Sequence, residues 1–543
     1  MHPVQETSLL IPAAKLAGVT RQQFLRLLTS GSVSAIAGPF AYPQRAAASD
    51  RGSHGAPTND QPLPTNDQRP TTDDQRPAGF PAGVTKAVTA FIQHSRLDDI
   101  PEKALVEAKR CLIDGFGVVL AGATVHGSAI VREYVKTFDV ATRGASILGP
   151  ERLSANAGHA ALANAASGHA MDYDDTQLSS TPDRVFGLLT HPTVPVLAAS
   201  LAIGERLGVS GRKFLEAFLT GFEVECKIAE AIKPDHYLRG FHSTGTMGTF
   251  GGAASAAKLL ALTPTAIPHA LGIAASMSSG IRVNFGSMTK PLHAGRAAEN
   301  GITAAELASR GFTAGDDALD GEWGFFQVLG GGVDLPRIMT TLGHPYSIVD
   351  PGVSFKPYPC GSLGHPTMDA MLKLVTDHDV KPDQVAHVAV RAGSNILNPL
   401  RYKTAKTELE AKFCLPFMMS SILLRRRAGI REFTDEFVAS APVQAMMANV
   451  ETVFDKDIEA RGFDKMRSVV VVQLKDGRTL TQPSDERYRG GPENPFTRAD
   501  LHAKFTDCAS LVLSADRIKR ALDAIESVEK LANIRELVSA LTA

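Results

Sequence analysis

"ANAGHAALANAASGHAMD", residues 155–172, decides the fold. Alanine is the strongest helix former, and apolar residues recur here at spacings of three and four, so the stretch predicts a helix. Faces built from Ala and Gly let neighbouring helices approach closely, which points to a many-helix domain rather than a supercoiled bundle. Ser154 is the predicted N-cap. The stretch then runs into "YDDTQ" (173–177), which brings Asp172, Asp174 and Asp175 within four positions. At a predicted helix C-terminus these carboxylates meet the negative end of the macrodipole and need compensating partners. Helical spacing puts His169, Asp172, Asp175 and Thr176 on one face and turns Asp174 elsewhere; Asp174 and Asp175 are expected to serve the turn itself.

The same texture extends outward. "PEKALVEAKRCLIDGFGVVLAG" (101–122), "PTVPVLAASLAIGERLGVSG" (192–211) and "FGGAASAAKLLALT" (250–263) repeat the helical pattern, with glycines as stop signals. Beyond residue 380 the period changes. "VAHVAVRAG" (385–393) alternates as a strand does, and "MRSVVVVQLKDGRTLTQ" (466–482) reads as strand, Asp-Gly turn and strand. Helical patterns return in "RADLHAKFTDCASLVL" (498–513) and in residues 517–541. The expected fold is mainly α, with helical portions at 81–355 and 488–543 flanking a mixed α+β segment at 356–487.

The chain has 543 residues, enough for about two or three folding units. With 56 Lys+Arg against 57 Asp+Glu it has no basic field to attract a nucleic acid. Its five cysteines are scattered and show no C-x-x-C pair, which speaks against a disulfide framework or a zinc site and favours a cytoplasmic protein. Residues 57–77, "PTNDQPLPTNDQRPTTDDQRP", are a near-repeat too polar to fold, so residues 1–80 are expected to be a disordered extension. Within it, residues 20–50 have the order of an export signal, similar to a twin-arginine signal with Gln22 in place of the second arginine. No apolar run reaches the roughly 18 residues a membrane helix needs.

For the aspartates, a metal cage lacks H-E-x-x-H, an EF-hand loop or clustered cysteines. D-x-D-D-T also resembles the acid motif of class II terpene cyclases, but those enzymes need aromatic walls, and this chain is 6% aromatic with a single tryptophan. Other polar residues recur at predicted helix entrances: His191 before Pro192, His242 before a Gly- and Thr-rich start, Lys290 before Pro291 with His293 and Arg296 following, Lys356 in a Pro-rich loop, and His365 before Pro366. A helix N-terminus disfavours imidazolium and favours bound anions, so this shared placement suits neutral bases around a substrate with several carboxylates. No P-loop or G-x-G-x-x-G supports a nucleotide, and no cofactor is expected.

"NAASGHAMDYDDT", "HPTVPVLAASLAIGE", "GFHSTGTMGTFGGAASAAKLL", "TKPLHAGRAAENG", "GFF" (324–326), "FKPYPCGSLGHPTMDA" and "TELEAKFCLPF" occur in the order seen in the MmgE/PrpD family, which this chain resembles over roughly 82–540. That family includes 2-methylcitrate dehydratase, cis-aconitate decarboxylase and iminodisuccinate epimerase. The resemblance implies a large all-helical domain built from both ends of the chain, a smaller α+β lid domain, a homodimer, and a metal-free site for a small polycarboxylate. It implies catalytic roles for Asp172, Thr176, His191 and His242, and substrate binding by Lys290, Lys356 and Tyr402. The implied reaction is removal of water by α-proton abstraction, with epimerisation or decarboxylation as alternatives and a non-catalytic binding protein as the rival class. Two departures stand out. About eight residues within "QLSSTPDRVFGLL" (177–189) look inserted, and Gly361 stands where cis-aconitate decarboxylases carry a histidine, which weakens the decarboxylase alternative.

Overall fold

The computed structural model describes residues 83–138, 144–178, 190–233 and 235–542. The expected N-terminal extension, its signal-like segment and most of the inserted stretch lie outside the described residues. In chain order the longer helices of the first part are α1 Val84–His94, α2 Glu102–Gly122, α3 His126–Lys136, α4 Ala157–Ala170, α5 Thr193–Leu207, α6 Gly211–Ala231, α7 Ser243–Leu259, α8 Ala266–Met277 and α9 Thr289–Ser309. The protein is mainly α.

The N-cap of α4 corrects the sequence reading. Strands β1 Ala145–Ile147 and β2 Leu153–Ala155 pair antiparallel, and Ser154 is taken into that ladder opposite Ser146. The cap falls to Asn156, whose side chain accepts from the His159 N–H at 3.0 Å. At the other end the helix stops at Ala170, so the helical face assigned to His169, Asp172, Asp175 and Thr176 does not continue past it.

Small residues set the helix spacing. A Cβ on Gly122 of α2 would lie 1.8 Å from the Ser167 carbonyl oxygen of α4, and one on Gly301 of α9 would lie 2.5 Å from the Ala253 nitrogen of α7. Backbone therefore touches backbone at both crossings, a closeness only glycine permits. One core runs through α1, α4, α5, α7, α8 and α9. A second joins α2, α5 and α6 to the end of the chain, where α12 and α13 lie once the intervening helices α10 His365–Asp377 and α11 Leu415–Arg425 are counted. Here α12 is Arg498–Ala509 and α13 is Ala515–Glu526. From α12, Lys504 pairs with Asp114 of α2 at 2.6 Å and donates to the Tyr173 carbonyl at 2.8 Å.

The mixed segment has its own core, which also takes in Tyr237 and Phe285 from the helical part. Its sheet has the order β4-β3-β5-β6, with β3 Val385–Ala392, β4 Val450–Phe454, β5 Ser468–Leu474 and β6 Thr479–Pro483. β5 and β6 form the expected hairpin, turning at Asp476-Gly477 with Gly477 at φ 90°. β4, parallel to β3, is the strand the sequence did not announce, because its burial does not alternate. All five cysteines are free and buried. Among the described residues no single helix is long and apolar enough to cross a membrane.

The α7–α9 contact gives a test of the packing. Gly301→Ala is expected to lower the unfolding free energy by about 1–3 kcal/mol, despite alanine's better helix propensity, because the methyl group meets main chain. The urea midpoint measures it.

Candidate active site

Three chain segments are laced side by side to build the site. After α4 the chain reverses at Asp172, which takes φ 51°, a left-handed conformation uncommon for a residue with a side chain. The outgoing segment then pairs on both sides. Thr176 exchanges hydrogen bonds with Ser354 (2.9 and 2.8 Å), next to the loop of Lys356, and the Gln177 N–H donates to the Thr190 carbonyl at 2.9 Å, next to His191. His191, His242 and Lys290 stand at the starts of α5, α7 and α9, and the His191 N–H donates to Thr244 Oγ1 in the first turn of α7 at 3.1 Å.

Asp172, Thr176, His191, His242, Lys290 and Lys356 thereby line one cavity of about 40 Å³. Its remaining wall is largely apolar: Tyr237, Phe285, Leu363, Pro399, Leu400 and Phe413, with Gly361 and Ser362. Tyr402 is not among these lining residues; it donates its hydroxyl to the Phe285 carbonyl at 3.2 Å and so stands behind the wall. Arg296 and His365 stand apart too: Arg296 pairs with Glu299 at 2.6 Å, and His365 is held by the Tyr488 hydroxyl at 2.6 Å and the Cys360 carbonyl at 3.1 Å.

Asp172 is the electrostatic centre. It is 3% exposed and pairs with Lys290 through Oδ1 and with Lys356 through Oδ2 at 3.2 Å, while Lys356 also donates to its carbonyl oxygen at 2.8 Å. Burial works to raise the Asp172 carboxyl, but the two lysines outweigh it and hold it well below the usual range. Burial lowers the Lys290 ammonium, against the pull of Asp172.

Behind this pair stands a chain the sequence reading missed. His169 Nδ1 lies 2.8 Å from Asp174 Oδ2, and its Nε2 lies 2.9 Å from Lys290 Nζ. A carboxylate only accepts and an ammonium only donates, so His169 is neutral with its proton on Nδ1. Asp174 is therefore not turned away, and it and Asp175 do more than shape a turn: both are fully buried. Burial opposes ionisation of Asp174, but His169 and His191 lower its pKa. Asp175 lacks such partners; burial and then Asp114 push it up to about 8, and its carboxyl accepts from Thr193 at 2.5 Å. The spacing of His169 and Asp174, five apart across a helix end, was the available signal.

The two cavity histidines are both neutral. Burial, assisted by Lys356 and resisted by Asp174, holds His191 well below the ordinary histidine value, and burial with Lys290 does so for His242. His191 Nδ1 lies 2.8 Å from the Asp175 carbonyl oxygen, which only accepts, so the proton sits on Nδ1 and Nε2 carries the lone pair. His242 Nδ1 lies 3.0 Å from Nδ1 of His293, itself depressed to about 4 by burial and by His169. His169, Asp172 and His191 bring ligand-type atoms within 4.8 Å of one another, but Lys290 already places an ammonium against the first two. The arrangement offers unprotonated bases beside clamped positive charge, which is the equipment for taking a proton next to a carboxylate.

Asp175 gives a titration that isolates this buried set. Its raised pKa favours the folded state fully below pH ~4, and that advantage is lost as pH rises to about 8. The difference in urea midpoint between the wild type and Asp175→Asn should therefore move in the variant's favour from pH 5 to 8 and level off above; a constant difference would show an ordinary carboxyl.

A model of the MmgE/PrpD N-terminal domain matches residues 86–337, and one of the MmgE/PrpD C-terminal domain matches residues 358–530. The chain is 27% identical to the cis-aconitate decarboxylase of Homo sapiens over 469 residues, 84% of this chain and 94% of that protein. It is 28% identical to the cis-aconitate decarboxylase of Mus musculus (82% and 91% covered) and 25% identical to that of Aspergillus terreus strain NIH 2624 (85% and 96% covered).

Proposed function

The chain belongs to the MmgE/PrpD family, and from that premise and the cavity's geometry we propose that it is a lyase removing water from a small polycarboxylic acid, in the manner of 2-methylcitrate dehydratase. The observation that carries this is one carboxylate, Asp172, held between two buried ammonium groups on a cavity that also presents two neutral imidazoles. His191, with its lone pair on Nε2, takes the proton beside a substrate carboxylate. Lys290 and Lys356 stabilise the enediolate that forms, since their charge is already in place before the reaction begins. His242, neutral and backed by His293, hydrogen-bonds the departing hydroxyl, which leaves as water with the proton His191 has taken, and Asp172 with Thr176 positions that group. The enzyme works as a homodimer and without a metal ion, Lys290 supplying the positive charge where a cation would bind.

Most of the apolar wall comes from residues 361–413, which supports a lid role for the mixed segment.

Decarboxylation is the second reading, favoured by the names of the relatives. Against it, Gly361 stands at the place of the decarboxylase histidine, and a Cβ there would lie 2.7 Å from Leu400 Cδ2, so a larger side chain would have to displace Leu400. Epimerisation shares the proton abstraction and would return the proton to the opposite face.

Incubation in deuterium oxide with chelator and a panel of citrate-like, aconitate-like and aspartate-like acids, followed by NMR, separates these. Dehydration gives exchange together with an alkene product; release of CO₂ or inversion without water loss would replace the present reading. His191→Gln should reduce α-carbon exchange about 10²–10⁴-fold. His242→Gln should keep the exchange and lose elimination, and unchanged turnover in that variant would remove its assigned role. The acidic limb of kcat/KM should fall well below pH 6.5, because both histidines are depressed.

A further inference from the structure

Asp174 is fully buried, and the proposed reaction leaves it without a task. Both of its carboxylate oxygens lie within hydrogen-bond reach of His169 Nδ1, at 3.0 and 2.8 Å, and the nearer one, Oδ2, also lies 3.5 Å from Nδ1 of His191. The two rings meet edge-on, with centroids 4.6 Å apart. One carboxylate thus stands behind two imidazoles, of which His191 opens on the cavity and His169 holds Lys290.

A base at the position of His191 meets a particular difficulty. Taking a proton on Nε2 turns it into an imidazolium in a buried place that already holds two ammonium groups. Burial opposes the new charge most, Lys356 and Lys290 add to the opposition, and Asp174 favours it. His169 is neutral and brings no full charge of its own. Asp172 faces His191 as well, but its charge is divided between Lys290 and Lys356. The Asp175 carboxyl, pushed up to about 8, is largely uncharged at neutral pH. Asp174 is left as the negative charge that can answer a proton on His191.

We infer that Asp174 is a positioning residue that acts through both imidazoles: it supplies the counter-charge for the imidazolium formed at His191, and through His169 it keeps the Lys290 ammonium in place. The role rests on His191 as the base of the proposed lyase and adds what lets that residue accept a proton beside two lysines. Asp174 itself exchanges no atom. The proton stays on the His191 ring until it leaves with the hydroxyl as water, and the carboxylate remains ionised throughout.

Asp174→Asn, nearly the same in shape, tests this on the full chain. With the acids of the deuterium-exchange panel, kcat for α-carbon exchange should fall about 10- to 100-fold, because an opposite charge this close is worth about one to two pKa units to the base. KM should stay within about 2-fold, the pattern of an interaction made in the transition state. The acidic limb of kcat/KM should move down by about one pH unit, since His191 without its counter-charge is harder to protonate; a packing defect lowers the urea midpoint and leaves that limb where it is. Asp174→Ser, smaller and equally uncharged, should behave alike and stands in where the Asn variant fails to fold, and Asp174→Glu, which keeps the charge, should bring the limb back. Histidine NMR without substrate reads the same coupling: the resonance that His191→Gln removes should titrate about one pH unit lower in the uncharged variants. Equal titration of His191 in wild type and uncharged variants overturns the role of Asp174 and leaves the lyase reading standing. A wild type that exchanges none of the acids overturns the lyase reading, and the titration alone then decides whether Asp174 is the counter-charge of His191.

Discussion

The Asp172 carboxylate, clamped between Lys290 and Lys356, is the interaction on which the site depends. A lone ion of either sign at this depth would cost several kcal/mol, and two ammonium groups without the aspartate would repel each other. The three come from the turn after α4, the start of α9 and the loop before α10, so one contact fixes three elements at once. Its strength lies less in stability than in arrangement. It keeps positive charge in a buried position that an unpaired lysine would not tolerate, and it does so before any ligand arrives.

Around that clamp, protonation states are set by who can donate to whom. His169 has both ring nitrogens assigned by Asp174 and Lys290, and His191 has one assigned by a carbonyl. The adjacent aspartates Asp174 and Asp175 end in opposite states although both are fully buried: one faces two imidazoles, the other faces Asp114. Identical residue types thus acquire different chemistry from neighbours alone.

How much of this was legible in the sequence follows from the range of each cause. The helices around "ANAGHAALANAASGHAMD" and the hairpin at Asp476-Gly477 are local patterns and could be read directly. The motif residues Asp172, Thr176, His191, His242, Lys290 and Lys356 were marked by their positions at helix ends and by family likeness, and the structure brings them to one cavity. The reversal at Asp172 was not legible, because aspartate adopts a left-handed φ only occasionally and nothing in the local pattern marks this one. Nor was the His169–Lys290 bond, whose partners stand 121 positions apart. β2 claimed Ser154 by pairing with a strand that no periodicity announced.

Lys504 carries a consequence for how the molecule is made. It reaches from α12 to Asp114 and to the carbonyl of Tyr173, inside the turn between Asp172 and Asp174. A ribosome therefore completes nearly the whole chain, including every residue of the candidate cavity, before the counter-charge for Asp114 emerges. Until then the carboxylates behind the turn face one another without it. The last helices thus supply a charge on which the turn of the candidate site rests.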